Sequence, residues 1–181
     1  MEEQGCYEGN EVGGMMEGHT ILTPEEEIVQ LLQRNRMTIT TAESCTGGLI
    51  SATLVNVSGA SDVLKLCVVT YAEEAKQQIL GVKAETLEKY GVVSEETAYE
   101  MAQGALAYAS ADVALSVTGI AGPGGGTKEK PVGLVYIGCN VRGCIRIEKH
   151  LFQGDRLTVR ESSVNAALRL AKECILESLE E

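Results

Sequence analysis

Residues 37–59 read MTITTAESCTGGLISATLVNVSG. The first seven, rich in threonine and isoleucine, have the composition of a short β-strand. After the glycine pair, Leu49, Ile50, Thr53, Leu54 and Val57 recur at the spacing of one helical face. A strand therefore runs into a helix through SCTGG, and Ser44 and Cys45 sit on the turn between them.

The same alternation continues on both sides. TPEEEIVQLLQRNR (23–36) carries a helix start, with Thr23 as cap, Pro24 in the first turn and Glu26 completing a capping box. VLKLCVVTY (63–71) is a second strand, followed by the helix EEAKQQIL, which stops at Gly81. A brief helix, AETLEKY, stops at Gly91. Ser94 caps a longer one whose face is Ala98, Met101, Ala102, Ala105 and Leu106. DVALSVTG (112–119) is near-continuously apolar, as a strand buried on both faces must be. IAGPGGGTKEKP (120–131) cannot be regular structure. VGLVYIGCNV and CIRIEKHLF flank Arg142-Gly143 as a hairpin, and Asp155 caps a long final helix with the stripe Val164, Leu168, Ala171, Ile175 and Leu179. Alternating strands and helices with one late hairpin predict an α/β fold, a single three-layer α/β/α domain with a mixed β-sheet.

Composition narrows the function. The chain has 181 residues, no Trp, one Phe and a formal net charge of −11. That length suits one domain with an aliphatic core. The acidity argues against nucleic-acid partners and against anionic membranes. No apolar run approaches the roughly 20 residues that span a bilayer. Residues 1–22 are acidic and glycine-rich, lack the basic and apolar regions of a secretory signal, and read as a flexible tail preceding a domain at 23–181. A cytoplasmic location follows as the expectation. None of the six cysteines forms a C-x-x-C pair and no histidine stands at metal-ligand spacing, so no metal and no cofactor is expected. Cys139 and Cys144 can face each other across the hairpin, but in a reducing compartment the cysteines read as small core residues.

Sites in such sheets form at strand carboxyl ends. Three loops qualify, and they hold Ser44, then Tyr71 with Lys76, then Thr118 with the glycine loop. Each residue has two readings. Ser44 is either a helix N-cap or a side chain presented above the sheet, with the amides of Thr46, Gly47 and Gly48 free to meet negative charge. Cys45 can be activated by the same helix terminus, yet neighbours on a tight turn point apart, so one of the pair faces the site. A serine nucleophile needs a base. His19 lies in the tail and His150 among charged neighbours near the end of the last strand, which leaves Lys76 if burial or positive neighbours lower its pKa; otherwise Lys76 is a solvated helix lysine. Tyr71 is a strand-end aromatic or a hydroxyl that assists proton transfer. GPGGGTKEKP lacks the G-x-x-x-x-G-K-[ST] spacing of a phosphate loop. Arg156 and Arg160, on the first turns of the last helix, are solvated or clamp a phosphate.

Five blocks in order, TAESCTGGLISATLVNVSGAS, VVTYAEEAKQQILGV, YGVVSEETAYEMAQGA, VTGIAGPGGGTKEKPVGLVYI and GDRLTVRESSVNAAL, resemble the CinA C-terminal-domain family, the nicotinamide-nucleotide amidohydrolases. The resemblance covers nearly everything from Thr23 onward. It implies hydrolysis of the carboxamide of nicotinamide mononucleotide to nicotinate mononucleotide and ammonia, in pyridine nucleotide salvage, with a small-molecule nucleotide as partner. By resemblance Ser44 is the nucleophile, Lys76 its base and Tyr71 an assisting hydroxyl. Thr46, Gly47, Gly48, Thr118, Gly119 and Gly122 line the substrate pocket, and Arg156 contacts the substrate phosphate. It also implies a homo-oligomer, although no interface is legible in the sequence. Relatives often carry an N-terminal nucleotide-pyrophosphatase domain, and this chain is expected to lack that metal-dependent activity. Leu66 and Cys67 stand where the family carries a glycine pair, and the larger side chains are expected to narrow the site or alter packing beside Lys76. The rival reading is a non-catalytic nucleotide-binding or regulatory module linked to competence or DNA damage. A phosphoryl-transfer enzyme is a third, weakened by the missing Walker-type lysine.

Overall fold

The computed structural model describes residues 21–180. The tail read at 1–22 lies almost wholly outside the described residues, as do Cys6 and His19. The chain runs α1 (Pro24–Asn35), β1 (Ile39–Glu43), α2 (Leu49–Val55), a 3-10 turn (Ala60–Asp62), β2 (Leu64–Val69), α3 (Glu73–Leu80), α4 (Ala84–Tyr90), α5 (Glu95–Ala109), β3 (Val113–Gly119), β4 (Leu134–Val141), β5 (Cys144–Leu151) and α6 (Arg156–Glu180).

The punctuation marks of the sequence set these boundaries. Thr23 and Glu26 close a capping box on α1. Gly81 and Gly91 take positive φ to end α3 and α4. Ser94 accepts the Thr97 amide at the start of α5, and Asp155 accepts the Thr158 amide at the start of α6. Arg142 and Gly143, both at positive φ, make the tight turn between β4 and β5.

One sheet of five strands has the order β2-β1-β3-β4-β5. β1 is parallel to β2 and to β3, while β3–β4 and β4–β5 are antiparallel. On one face β1, β3 and β4 pack against α1, α2 and α6 through Ile28, Leu32, Ile39, Leu54, Leu115, Ile137 and Leu168. On the other, Ala42 and Ala114 meet Leu80, Leu87, Met101 and Ala105 of α3, α4 and α5. This is the mixed-sheet α/β/α architecture expected from the alternation of patterns. α5 lies so close to α3 that a Cβ on Gly104 would sit 1.8 Å from the carbonyl oxygen of Leu80, which is why a glycine interrupts that helix face.

The chain leaves β1 for β2 on one side, then crosses back over β1 to reach β3 on the other. The carboxyl ends of β2, β1 and β3 thus open side by side where strand order reverses, the place where open α/β sheets bind ligands.

Three expectations need correction. Cys139 pairs with Arg146 across the hairpin, and Cys144 with Val141, so the two cysteines do not face each other. Cys45, Cys139 and Cys174 are buried, but Cys67 and Cys144 are exposed on the two outer strands. Leu66 and Cys67 lie on edge strand β2, Leu66 half-buried and Cys67 facing solvent, and neither lines the cavity described next; the expected narrowing does not occur. No helix among the described residues is long and apolar enough to cross a membrane.

Candidate active site

A cavity of about 540 Å³ opens over the reversal point, within the range that suits small-molecule ligands. Its wall includes Ser44 and Cys45 from the turn after β1, Tyr71 and Lys76 from the loop and helix after β2, Thr118 through Gly122 from the end of β3, and Arg156 from α6. Three strand ends and the last helix thus contribute to one hollow.

Lys76 is buried, with 1 % of its surface exposed. Its position in the second turn of α3 turns the side chain under the preceding loop. There Nζ lies 2.6 Å from the Thr70 carbonyl oxygen, 3.5 Å from that of Tyr71, and 3.1 Å from Ser44 Oγ. Burial lowers the amine pKa below its ordinary 10.5, while Cys45 and Glu73 partly oppose the shift. An amine in that state is a competent base for an adjacent hydroxyl.

Cys45 turns the other way, into the apolar layer with α2 and α6, and is 6 % exposed. Burial pushes its thiol up to about 11, so it stays protonated at neutral pH and is a poor nucleophile. Of the neighbouring pair, Ser44 is the one whose side chain meets the Lys76 amine.

Ser44 is not a helix cap. The residue before α2 is Gly48, at φ 93°, and no side chain of its own caps the helix. Four residues of turn separate Ser44 from Leu49. The turn is held by Ser44 N–H donating to Val117 O (3.0 Å), Gly47 N–H to Ser44 O (3.1 Å), Leu49 N–H to Thr46 O (3.3 Å), and Gly48 N–H to a carboxylate oxygen of Glu43 (2.9 Å). The amides of Gly47 and Gly48 are therefore occupied, against the expectation that they stand free, and Thr46, Gly47 and Gly48 do not line the cavity. Among the described residues the turn amides with no carbonyl or carboxylate acceptor are those of Cys45 and Thr46. Both glycines need positive φ, 62° and 93°, so their role is to shape the turn.

The Tyr71 hydroxyl accepts from Arg156 Nη2 at 3.1 Å. The Ser44–Lys76 contact is made without it, and Tyr71 is 63 % exposed. Arg156 also donates to Gly122 O at 2.8 Å, which fixes it between the glycine loop and Tyr71 at the cavity wall. Arg160, one helical turn on, donates to Thr46 O at 2.7 Å and so ties α6 to the Ser44 turn. Thr118 is buried and its hydroxyl donates to Val92 O at 2.6 Å. Gly119 lines the cavity where β3 and β4 close up, and a Cβ there would meet Val135 at 2.7 Å.

Sequence reasoning missed several lining residues. Glu73 and Glu74, on the first turn of α3, bring negative charge to the same hollow. They could have been found, since they follow Tyr71 by only two and three positions. Val92 and Val93 also line it and carry no chemical signal at all. His150 bonds Glu148 and stacks on Phe152, away from this cavity.

Comparison with known proteins identifies the family. A family model described as the CinA C-terminal domain matches residues 22–175. A CinA-like protein of Kosmotoga olearia is 51 % identical over 152 residues, covering 84 % of this chain and 37 % of that protein. The crystal structure of competence/damage inducible protein CihA from Agrobacterium tumefaciens superposes with a TM-score of 0.78 at 39 % identity, covering 90 % of this chain and 99 % of that one. That of competence damage-inducible protein A (ComA) from Klebsiella pneumoniae gives 0.81 at 39 % identity, covering 83 % and 93 %. The chain spans little more than a third of the length of the curated relatives it matches, 37 % for the first three.

Proposed function

The chain belongs to the CinA C-terminal-domain family, and from that premise and the geometry above we propose that it is an amidohydrolase acting on the carboxamide of nicotinamide mononucleotide. The observation that carries the reading is the 3.1 Å contact between a fully buried lysine amine and the Ser44 hydroxyl.

Burial favours the neutral form of Lys76, and that form is the one that acts. Its two protons point to the carbonyls of Thr70 and Tyr71 and its lone pair receives the Ser44 proton. As Oγ bonds to the carboxamide carbon, that proton passes to Nζ. The carbonyl oxygen becomes an oxyanion and is met by the free amide of Cys45 on the cavity wall, with that of Thr46 beside it on the turn; one such donor contributes about 3 kcal/mol in other enzymes. The tetrahedral adduct collapses, the C–N bond breaks, and Lys76 returns the proton to the departing nitrogen, which leaves as ammonia. Water then attacks the Ser44 ester. Lys76 takes its proton and gives it to Oγ as the C–O bond breaks, releasing the nicotinate nucleotide. Arg156, held by Gly122 and Tyr71, offers its remaining donors to the substrate phosphate. Tyr71 thereby acts on Arg156 and not as a proton relay.

The test is ammonia release by the purified protein, with the mononucleotide compared against free nicotinamide. The mononucleotide is expected to be the better substrate. Ser44→Ala should reduce turnover by about a thousandfold or more, and Cys45→Ala should stay within about tenfold of wild type because its thiol is not used. Equal losses in the two variants would contradict the assignment. Calorimetric binding of the mononucleotide with no turnover would favour a binding module, the alternative that the competence and damage wording of the relatives' names leaves in place.

A further inference from the structure

Glu43, the last residue of β1, is fully buried immediately before Ser44 and has no part in the chemistry above. A carboxylate in that position must be satisfied, since a buried charge without partners is costly. One oxygen accepts the amides of Gly48 (2.9 Å) and Ile50 (3.1 Å). The other accepts the Ser51 amide (2.9 Å) and the Ser51 hydroxyl (2.5 Å). Thr41 Oγ1, 3.4 Å from that oxygen, lies 2.7 Å from Ser51 Oγ and donates there, because Ser51 has given its only proton to Glu43.

The geometry points to Glu43 as a positioning residue for the nucleophile: its carboxylate bridges the end of β1 to the first turn of α2, so that the intervening turn holds Ser44 Oγ within reach of Lys76. The inference rests on the amidohydrolase reading of the site. The reasoning is topological. The chain leaves the sheet at Glu43 and enters the helix at Leu49, and Gly48 brings no capping side chain. Glu43 does that work from five residues upstream and closes a ring around the turn. It also consumes the amides of Gly48, Ile50 and Ser51, which leaves Cys45 and Thr46 as the open donors beside Ser44. Both carboxylate oxygens face N–H groups that cannot rotate away. An amide of the same size would turn its NH2 against fixed donors in either orientation, so glutamine cannot replace glutamate here.

The experiment compares wild type, Glu43→Gln and a distant core variant, Ile175→Val, as a stability reference. Two quantities are read per folded molecule: ammonia release from the mononucleotide, and the rate at which a fluorophosphonate probe modifies Ser44. Glu43→Gln is expected to lower kcat between about ten- and a hundredfold, the cost of a misplacement on the ångström scale. KM should stay within about twofold, because Arg156 and the cavity wall are untouched, and labelling should slow in parallel. A folded Glu43→Gln protein with wild-type kcat and labelling overturns the inference. If Glu43→Gln does not fold, Ser51→Ala decides: a kcat loss at unchanged KM supports the role and an unchanged kcat overturns it. Should wild type release no ammonia, the amidohydrolase reading fails, while the labelling ratio still decides whether Glu43 places Ser44.

Discussion

A protonated lysine has three hydrogens to place, a neutral one two hydrogens and a lone pair. Around Lys76 the surroundings supply two carbonyl oxygens and a hydroxyl, and the hydroxyl accepts from the protonated amine or donates to the neutral one. It is burial that favours the neutral form. The sign follows: the folded amine releases its proton at a pH below the ordinary 10.5, and only the deprotonated form accepts from Ser44. Wild-type kcat/KM is therefore expected to rise with pH along a limb whose midpoint lies below 10.5, and Lys76→Met should lose both the limb and about a hundredfold or more of the rate. A pH profile of kcat/KM checks this; a flat profile from about pH 5 to pH 9 would exclude the lysine as base. The burial itself could not be read from Lys76 in the sequence. The local pattern placed it on a helix, where most lysines are solvated. Its burial comes from the Thr70–Tyr71 loop folding over the side chain, a contact between elements that periodicity does not encode.

At the scale of the element, signals with a strictly local mechanism were legible. Thr23, Ser94 and Asp155 cap the helices they precede, and Gly81 and Gly91 end the ones before them. The Ser44 turn was legible in position but not in conformation. A serine before a helical pattern reads as a cap, yet here a carboxylate on the preceding strand caps the helix and the glycines take left-handed backbone. Which turn amides stay free depends on where Glu43 reaches, and that is settled only when β1 and α2 pack. The helix pair α3–α5 makes a related point. Gly104 permits the backbone contact with Leu80, and Leu80 ends the helix that carries Lys76. Gly104→Ala should destabilise the fold by about 2 kcal/mol or more by forcing the two helices apart, seen as a lower denaturant midpoint. Because α3 moves, turnover per folded molecule should fall as well. A variant with wild-type stability would mean that the helices separate without cost.

For the molecule as a whole, the order β2-β1-β3 matters more than the order of residues along the chain. It brings Ser44 and Lys76, 32 positions apart, and Arg156, 85 positions beyond Tyr71, into one hollow. The alternation of patterns made the three layers foreseeable, because each element announces its own buried face. The edges were less so: whether a strand ends up central or outermost is a property of the assembled sheet, and it separates buried Cys139 on β4 from exposed Cys67 and Cys144 on β2 and β5. That distribution has a practical consequence. Peroxide attacks thiolates it can reach, and Cys67 and Cys144 on the outer strands are within its reach, whereas the Cys45 thiol beside Ser44 is both buried and held protonated. In a Cys6→Ser background, oxidant should add mass at those two peripheral sites while leaving ammonia release within about twofold of its starting value. Inactivation in step with the first oxidised sulfur would show that Cys45 is reached after all. The arrangement is expected to leave the Ser44–Lys76 pair untouched by oxidants that mark the outer strands.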